Sequence, residues 1–233
     1  MDNKTQFLRG MKSGVPVVLG FVPVGIAFAL MARQAGFTVM QTCGMSLVVF
    51  AGAAQMMSTG MFAQGAGFAA IVLATFVLNL RHVIMGTVVV DRMTDGSTAA
   101  RVAASFGLTD ESFAIFSTQK KENCTLAFFV GLILVNYTSW NVGTFIGAVA
   151  SDFLPDIITA SLAVSLYAMF IGLLVPNLKG NSRLALLVVM TAVCNTFLSR
   201  FIPSSWSLIV STLVCAFAGS FFVEEKEAKD EQQ

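Results

Sequence analysis

Between Gly67 and Val90 the chain reads GFAAIVLATFVLNLRHVIMGTVVV, an apolar run long enough to cross a bilayer that also carries Asn79, Arg81 and the sole histidine, His82. At 1.5 Å per residue, Arg81 falls within roughly 5 Å of the middle of the run, too deep for its side chain to reach headgroups. A central arginine costs about 2.5 to 3.5 kcal/mol on insertion, so the folded chain must supply it with partners. Thr75, Asn79, His82 and Gly86 are spaced to share one helical stripe, with Arg81 about 100° around from His82. That stripe is expected to face protein or water and the opposite face lipid. A polar cluster there either locks helix packing or marks a substrate or proton path, and ionisable groups inside membranes favour the second.

The rest of the composition agrees with a membrane chain. Of 233 residues 56% are hydrophobic and 12% charged, with a mean hydropathy of +0.78. A net charge of +1 with no basic stripe excludes nucleic-acid binding. Cys43, Cys124, Cys194 and Cys215 sit singly in apolar runs with no CxxC or Cys/His spacing, which reads as small buried hydrophobes and gives no metal or disulfide framework. The expected fold is all-α, a polytopic transmembrane bundle of seven or eight segments, some discontinuous or re-entrant. Residues 1–223 form one transmembrane domain, and 224–233 a charged, disordered cytoplasmic tail.

Lys4, Arg9 and Lys12 precede the first apolar run, which resembles a signal peptide ending at Ala27-Phe28-Ala29. Two prolines and three glycines within Gly14–Gly25 are wrong for a compact helical core, so a first span over about 14–32, interrupted near Pro23, fits better. The second segment, about Phe37–Phe62, contains Phe50-Ala-Gly-Ala-Ala-Gln55, small residues that permit close approach and end on a buried amide in need of a partner. After the Arg81 segment comes a short apolar piece, Ala103–Thr118, broken by Thr109-Asp110-Glu111-Ser112. It reads either as an amphipathic helix with its acids in water, or as a half-helix begun by Thr109 and dipping inward, so that Asp110 or Glu111 offsets Arg81.

The fifth segment, about 124–149, holds Asn136, Tyr137, Trp140 and Asn141 at mid-depth, too central for an interfacial belt. Further segments span Pro155–Val175, Leu184–Leu198 and Trp206–Val223. With both termini cytoplasmic and every segment crossing, Lys4, Arg9, Lys12, Lys120, Lys121, Lys179, Arg183, Lys226 and Lys229 gather inside, against Arg33, Arg92, Arg101 and Arg200 outside. The bias also holds with Arg92 and Arg101 inside and one early segment re-entrant. An offset of 118 aligns Gly25 with Gly143, Ala32 with Ala150 and His82 with Arg200, a thin trace of internal duplication. Gly60/Gln64/Gly67 and Gly143/Gly147 offer close-approach surfaces to a partner.

Several stretches, in order, carry a resemblance: Gly14-x-Pro16 with Gly20-x-x-Pro23-x-Gly25, Phe50-Ala-Gly-Ala-Ala-Gln55, Asn79-Leu80-Arg81-His82, Leu108-Thr109-Asp110-Glu111 and Trp140-x-x-Gly143-Thr144. Over roughly residues 10–175 the chain resembles the AzlC family of branched-chain amino acid permeases. The resemblance implies the large subunit of a two-component exporter of the bacterial inner membrane, acting with a small AzlD-type membrane subunit on valine, leucine, isoleucine and relatives such as methionine. Where many members carry an aspartate-phenylalanine pair in the sixth segment, this chain reads Ala163-Val164-Ser165-Leu166-Tyr167, so no role is carried over there.

The residues fit such a substrate. A zwitterion needs a cation for its carboxylate, an acid or carbonyls for its ammonium, and an apolar pocket. Arg81, with Asp110 or Glu111, supplies the charges; Ala51, Gly52, Gln55, Asn79 and Trp140 complete the candidate binding set. His82, Asp110 and Glu111 are the candidates for proton coupling or charge pairing, because no nucleotide motif is present and no cofactor or metal is implied. An intramembrane hydrolase would need a nucleophile with a base, yet there is one histidine and neither HExxH nor GxSxG, so a non-enzyme is expected. A channel would need a filter repeat or a ring of like charges, and neither is present.

Overall fold

The computed structural model describes residues 2–153, 182–202 and 209–219, together with Ile171, Val175, Leu178, Trp206 and Ser207. The expectations for Pro155–Val175, Ala163–Tyr167, Lys179 and the 224–233 tail lie outside these residues, or almost wholly so. No strand occurs among the described residues. The helices are α1 (Asn3–Gln34), α2 (Val39–Val49), α3 (Gly52–Ala63), α4 (Phe68–Arg92), α5 (Thr98–Ala104), α6 (Asp110–Ser117), α7 (Leu126–Ala150), α8 (Ser182–Leu198) and α9 (Ile209–Gly219). Among them α1, α4 and α7 are long and apolar enough to cross a bilayer. The chain divides into two compact units, 1–63 with 78–166, and 64–77 with 167–233.

The first unit is organised by α1 lying along α7. Gly10 abuts the Phe128 carbonyl and Gly131 abuts that of Phe7; a Cβ on Gly25 would lie 2.8 Å from the Trp140 carbonyl oxygen, and one on Gly143 would lie 2.5 Å from that of Val22. At the far end Arg33 Nε donates to Ser151 Oγ, 118 residues on. The helices are therefore parallel, and the offset of 118 seen in the sequence is the register of their contact. Glycine receives backbone in both directions, the reciprocity that a local two-fold between similar helices produces. Lipid tails are as apolar as side chains, so such helices hold together by close approach and dispersion, which glycine permits. Gly143 and Gly147 are thus filled by Val22 and Ile26 of α1 and are not free for another subunit, whereas a Cβ on Gly60 or Gly67 meets nothing within 4 Å.

α1 runs unbroken through Pro16 and Pro23 for 32 residues, so the interruption expected near Pro23 is absent. Each proline removes one backbone bond, but contact with α7 along the helix holds the backbone on course.

The second segment does not cross. A capping box of Thr38 and Gln41 starts α2, and Phe50, at φ 39°, turns the chain sharply into α3. The Phe37 and Phe62 rings lie 4.9 Å apart, where one continuous helix would separate them by about 37 Å. α2 and α3 are therefore a re-entrant pair that enters and leaves at the Arg33 end. The piece after α4 does the same from the opposite end. Arg92 Nη2 donates to the Gln119 carbonyl and Asp95 Oδ1 accepts from Leu126 N, so α5 and α6 leave and return beside the start of α7.

With both pairs re-entrant, Lys4, Arg9, Lys12, Arg92, Arg101, Lys120 and Lys121 share one end of the unit, and Arg33, paired with Asp152 at 2.7 Å, stands at the other. Between the α5–α6 pair and the lower turns of α4 and α7 lies an apolar cluster of Val89, Met93, Leu108, Phe116, Phe128 and Leu132.

In the second unit α8 and α9 run antiparallel, Ser207 Oγ donating to the Asn195 carbonyl at 2.8 Å and Gly219 lying against Leu187. An open groove of about 390 Å³ between them is lined by Leu187, Thr191, Asn195 and Thr212, among others. All four cysteines are free thiols, Cys124 and Cys215 buried and Cys43 and Cys194 half-buried.

Candidate functional site

Two polar groups stand at mid-depth in the first unit. The first is built by the tip of the α5–α6 pair. Leu108 anchors the tip in the apolar cluster, and Thr109 then caps α6: its Oγ1 accepts from Ser112 N at 3.2 Å, while Thr109 N donates to Ser112 Oγ at 2.8 Å. α6 therefore begins at Asp110, whose carboxylate sits at the positive end of the helix and 2.8 Å from Arg81 Nη1. Arg81 is 11 residues above the end of α4, about 16 Å up a 25-residue helix.

Of the two acids, Asp110 makes the ion pair. Glu111 turns back on the start of its own helix, toward Thr109 and its own amide. Of the two readings of this piece, the contact fits the second: Thr109 starts a half-helix that brings Asp110 to Arg81. The pair is about 40% exposed on each side, and Arg81 Nε is buried without a hydrogen-bond partner among the described residues. The contact is single-pronged on a guanidinium that can grip a carboxylate with two. His82 lies within electrostatic range of both Arg81 and Asp110. Thr75, Asn79, His82 and Gly86 form the half-buried stripe, Gly86 facing Leu108, while Phe76, Leu80, Val83 and Ile84 are exposed.

The second group locks the α2–α3 pair onto α7. Gln55 Nε2 donates to Ser46 Oγ at 3.0 Å, and Gln55 Oε1 accepts from Trp140 Nε1 at 3.1 Å. Ser46 and Thr144 hydroxyls are 2.8 Å apart. Gly52 lies against the Trp140 ring, a Cβ there reaching it at 2.7 Å, and Phe28 stacks on that ring with centres 6.1 Å apart. Ala51 is half-buried at the turn. The structure thus brings Gly52, Gln55 and Trp140 into one packed network and Arg81, His82 and Asp110 into another.

Ser46 escaped the sequence reading, and Thr144 entered it only within the Trp140-x-x-Gly143-Thr144 motif, because a hydroxyl in an apolar run carries no periodic signal. Gln55→Glu is expected to cost several kcal/mol, since it places a charge where no cation faces it, against about 1 to 2 for Gln55→Leu. Thermal unfolding of the two purified variants checks the order; equal melting temperatures would remove the network from the account.

The family model described as AzlC protein matches residues 16–154. A membrane protein of Archaeoglobus fulgidus, itself uncharacterized, is 34% identical over 183 residues, which is 78% of this chain and 80% of its own. The inner membrane protein YgaZ of Escherichia coli is 29% identical over 185 residues, 76% of each chain. The branched-chain amino acid transport protein AzlC of Bacillus subtilis is 24% identical over 159 residues, 66% of this chain and 62% of its own. No solved structure matches significantly. The matched stretch begins inside α1 and ends just past α7, taking in both re-entrant pairs and more than half of the sequence; the chain belongs to the AzlC family.

Proposed function

We propose that the chain transports small zwitterionic amino acids with apolar side chains, branched-chain ones first, and that Arg81 and Asp110 are its substrate contacts. The observation that carries this is the single-pronged ion pair of Arg81 with Asp110 at mid-membrane depth. A zwitterion entering between them offers a carboxylate to Arg81 and an ammonium to Asp110, so no charge is left unpaired when the resident pair opens. His82 stands beside Arg81 on α4 within range of the pair, Asn79 shares the His82 stripe, and Glu111 follows Asp110 on α6. Ala51, Gly52, Gln55 and Trp140 form the packed wall of the re-entrant turn.

Coupling runs through a proton carried by His82 or one of the acids, and the direction is export from a bacterial cytoplasm. The cation-rich end is cytoplasmic, supported by Lys4, Arg9, Lys12, Lys120 and Lys121 against Arg33. The chain works as the large subunit beside a small AzlD-type membrane subunit; the relative named for branched-chain amino acid transport supports the substrate class. Inverted vesicles containing this chain with and without the small subunit, given labelled leucine, are expected to accumulate it only when both are present. Excess valine is expected to compete and excess glutamate not to. Accumulation unaffected by valine would reject the substrate class.

A further inference from the structure

Asn136 is wholly buried on α7, and neither its Oδ1 nor its Nδ2 has a hydrogen-bond partner among the described residues. Its neighbours show how unusual this is. Ser46, Gln55, Trp140 and Thr144 are also buried, and each has a partner within 3.2 Å. An amide left with nothing to bind is expensive in an apolar interior, and a sequence under no other demand would place Leu there. The packed arrangement gives this amide nothing to bind, so access of water to it would relieve the cost.

Two walls cover this part of α7. One is α1, whose Gly14 faces Asn136 Oδ1 at 3.2 Å from the Cβ position, and glycine-to-backbone contacts pin α1 along its length. The other is the α2–α3 turn. Phe50 rests on Tyr137 with ring centres 5.0 Å apart, Tyr137 Oη donates to the Leu47 carbonyl at 2.7 Å, and Gly52 lies against Trp140. This second wall hangs from one end of the unit, is held by hydrogen bonds that water can replace, and reverses at a non-glycine residue with φ 39°. We infer that the α2–α3 pair is a movable strap, and that its withdrawal from α7 admits water to Asn136.

The strap reading stands apart from the assignment of Arg81, because it is tested without transport. In a protein whose Cys43, Cys124, Cys194 and Cys215 are replaced by alanine, Asn136→Cys is expected to react with a small hydrophilic thiol reagent despite its burial. Adding Ser46→Cys and Thr144→Cys, whose parent hydroxyls are 2.8 Å apart, and oxidising them ties the strap to α7. Labelling of residue 136, followed by mass spectrometry, is expected to slow at least tenfold and to recover on reduction. No labelling in the reduced protein, or labelling indifferent to the cross-link, would overturn the inference. Hydrogen exchange gives a second reading that needs no cysteine: amides of residues 47–55 are expected to exchange at least tenfold faster than those of 128–147, and equal protection would also overturn it.

Discussion

Arg81→Met is expected to insert, fold and carry no substrate. The change removes an expensive intramembrane charge and keeps an unbranched side chain of good helix propensity; Asp110 loses its cation but keeps the positive end of α6 and its partial exposure, so expression should hold and the melting temperature should fall by less than in Asp110→Asn. Transport should fall at least about 100-fold, the ~3 kcal/mol that charge-assisted hydrogen bonds to a carboxylate contribute. Arg81→Lys keeps the charge but loses the planar two-point grip and should fall by about tenfold or more. Asp110→Asn alone strands Arg81 and should cost about 3 to 5 kcal/mol of stability, less to the extent that the half-exposed pair reaches water.

The decisive variant is the exchange Arg81→Asp with Asp110→Arg. If the pair is only a packing device, the exchange restores folding and transport together. If a zwitterion reads its polarity, folding returns and transport does not. An Arg81→Met protein that exports leucine at the normal rate would move the site elsewhere.

The largest loss of stability is expected at the α1–α7 seam. Gly131→Ala drives a methyl onto the Phe7 carbonyl, and Gly10→Ala drives one onto that of Phe128. Neither obstacle is a side chain that can swing aside, so the helices must separate along the seam and lose the close contact that binds them. Each change should cost about 3 kcal/mol or more, and the Val variants should fail to give monodisperse protein. Gly60→Ala, where the new methyl meets nothing within 4 Å, should be neutral or stabilising by about 1 kcal/mol. Thermal unfolding of the three alanine variants makes the comparison. A Gly131→Ala protein as stable as Gly60→Ala would mean that the parallel seam is not what holds this unit together.

Much of this was legible before any tertiary contact was known. Hydropathy and composition set the chain in a membrane and made it helical, because a bilayer requires every backbone group to be satisfied within its own segment. The cost of a mid-membrane arginine demanded a partner, and Thr109 before two acids offered, as one of two readings, a half-helix that supplies one. Local sequence could not choose between Asp110 and Glu111. That choice depends on how α6 leaves its cap, which sends one carboxylate toward α4 and folds the other back on the helix start.

Nor could it say that the run from Phe37 to Phe62 turns back, because a largely apolar run of 26 residues satisfies a crossing and a re-entrant pair equally well. The reversal is held by contacts with α7 that no local pattern shows, among them Phe50 on Tyr137 and Gln55 on Trp140. Gly143 and Gly147 looked like surfaces for a partner and are filled by α1, since a small residue records that something comes close without recording what. Sequence by itself determined the solvent, the secondary structure and the groups that could not be left alone, because these follow from the preferences of each residue and its near neighbours. Tertiary structure decided direction and partnership, because the energy of a buried hydrogen bond or a glycine contact exists only when a distant segment arrives to make it.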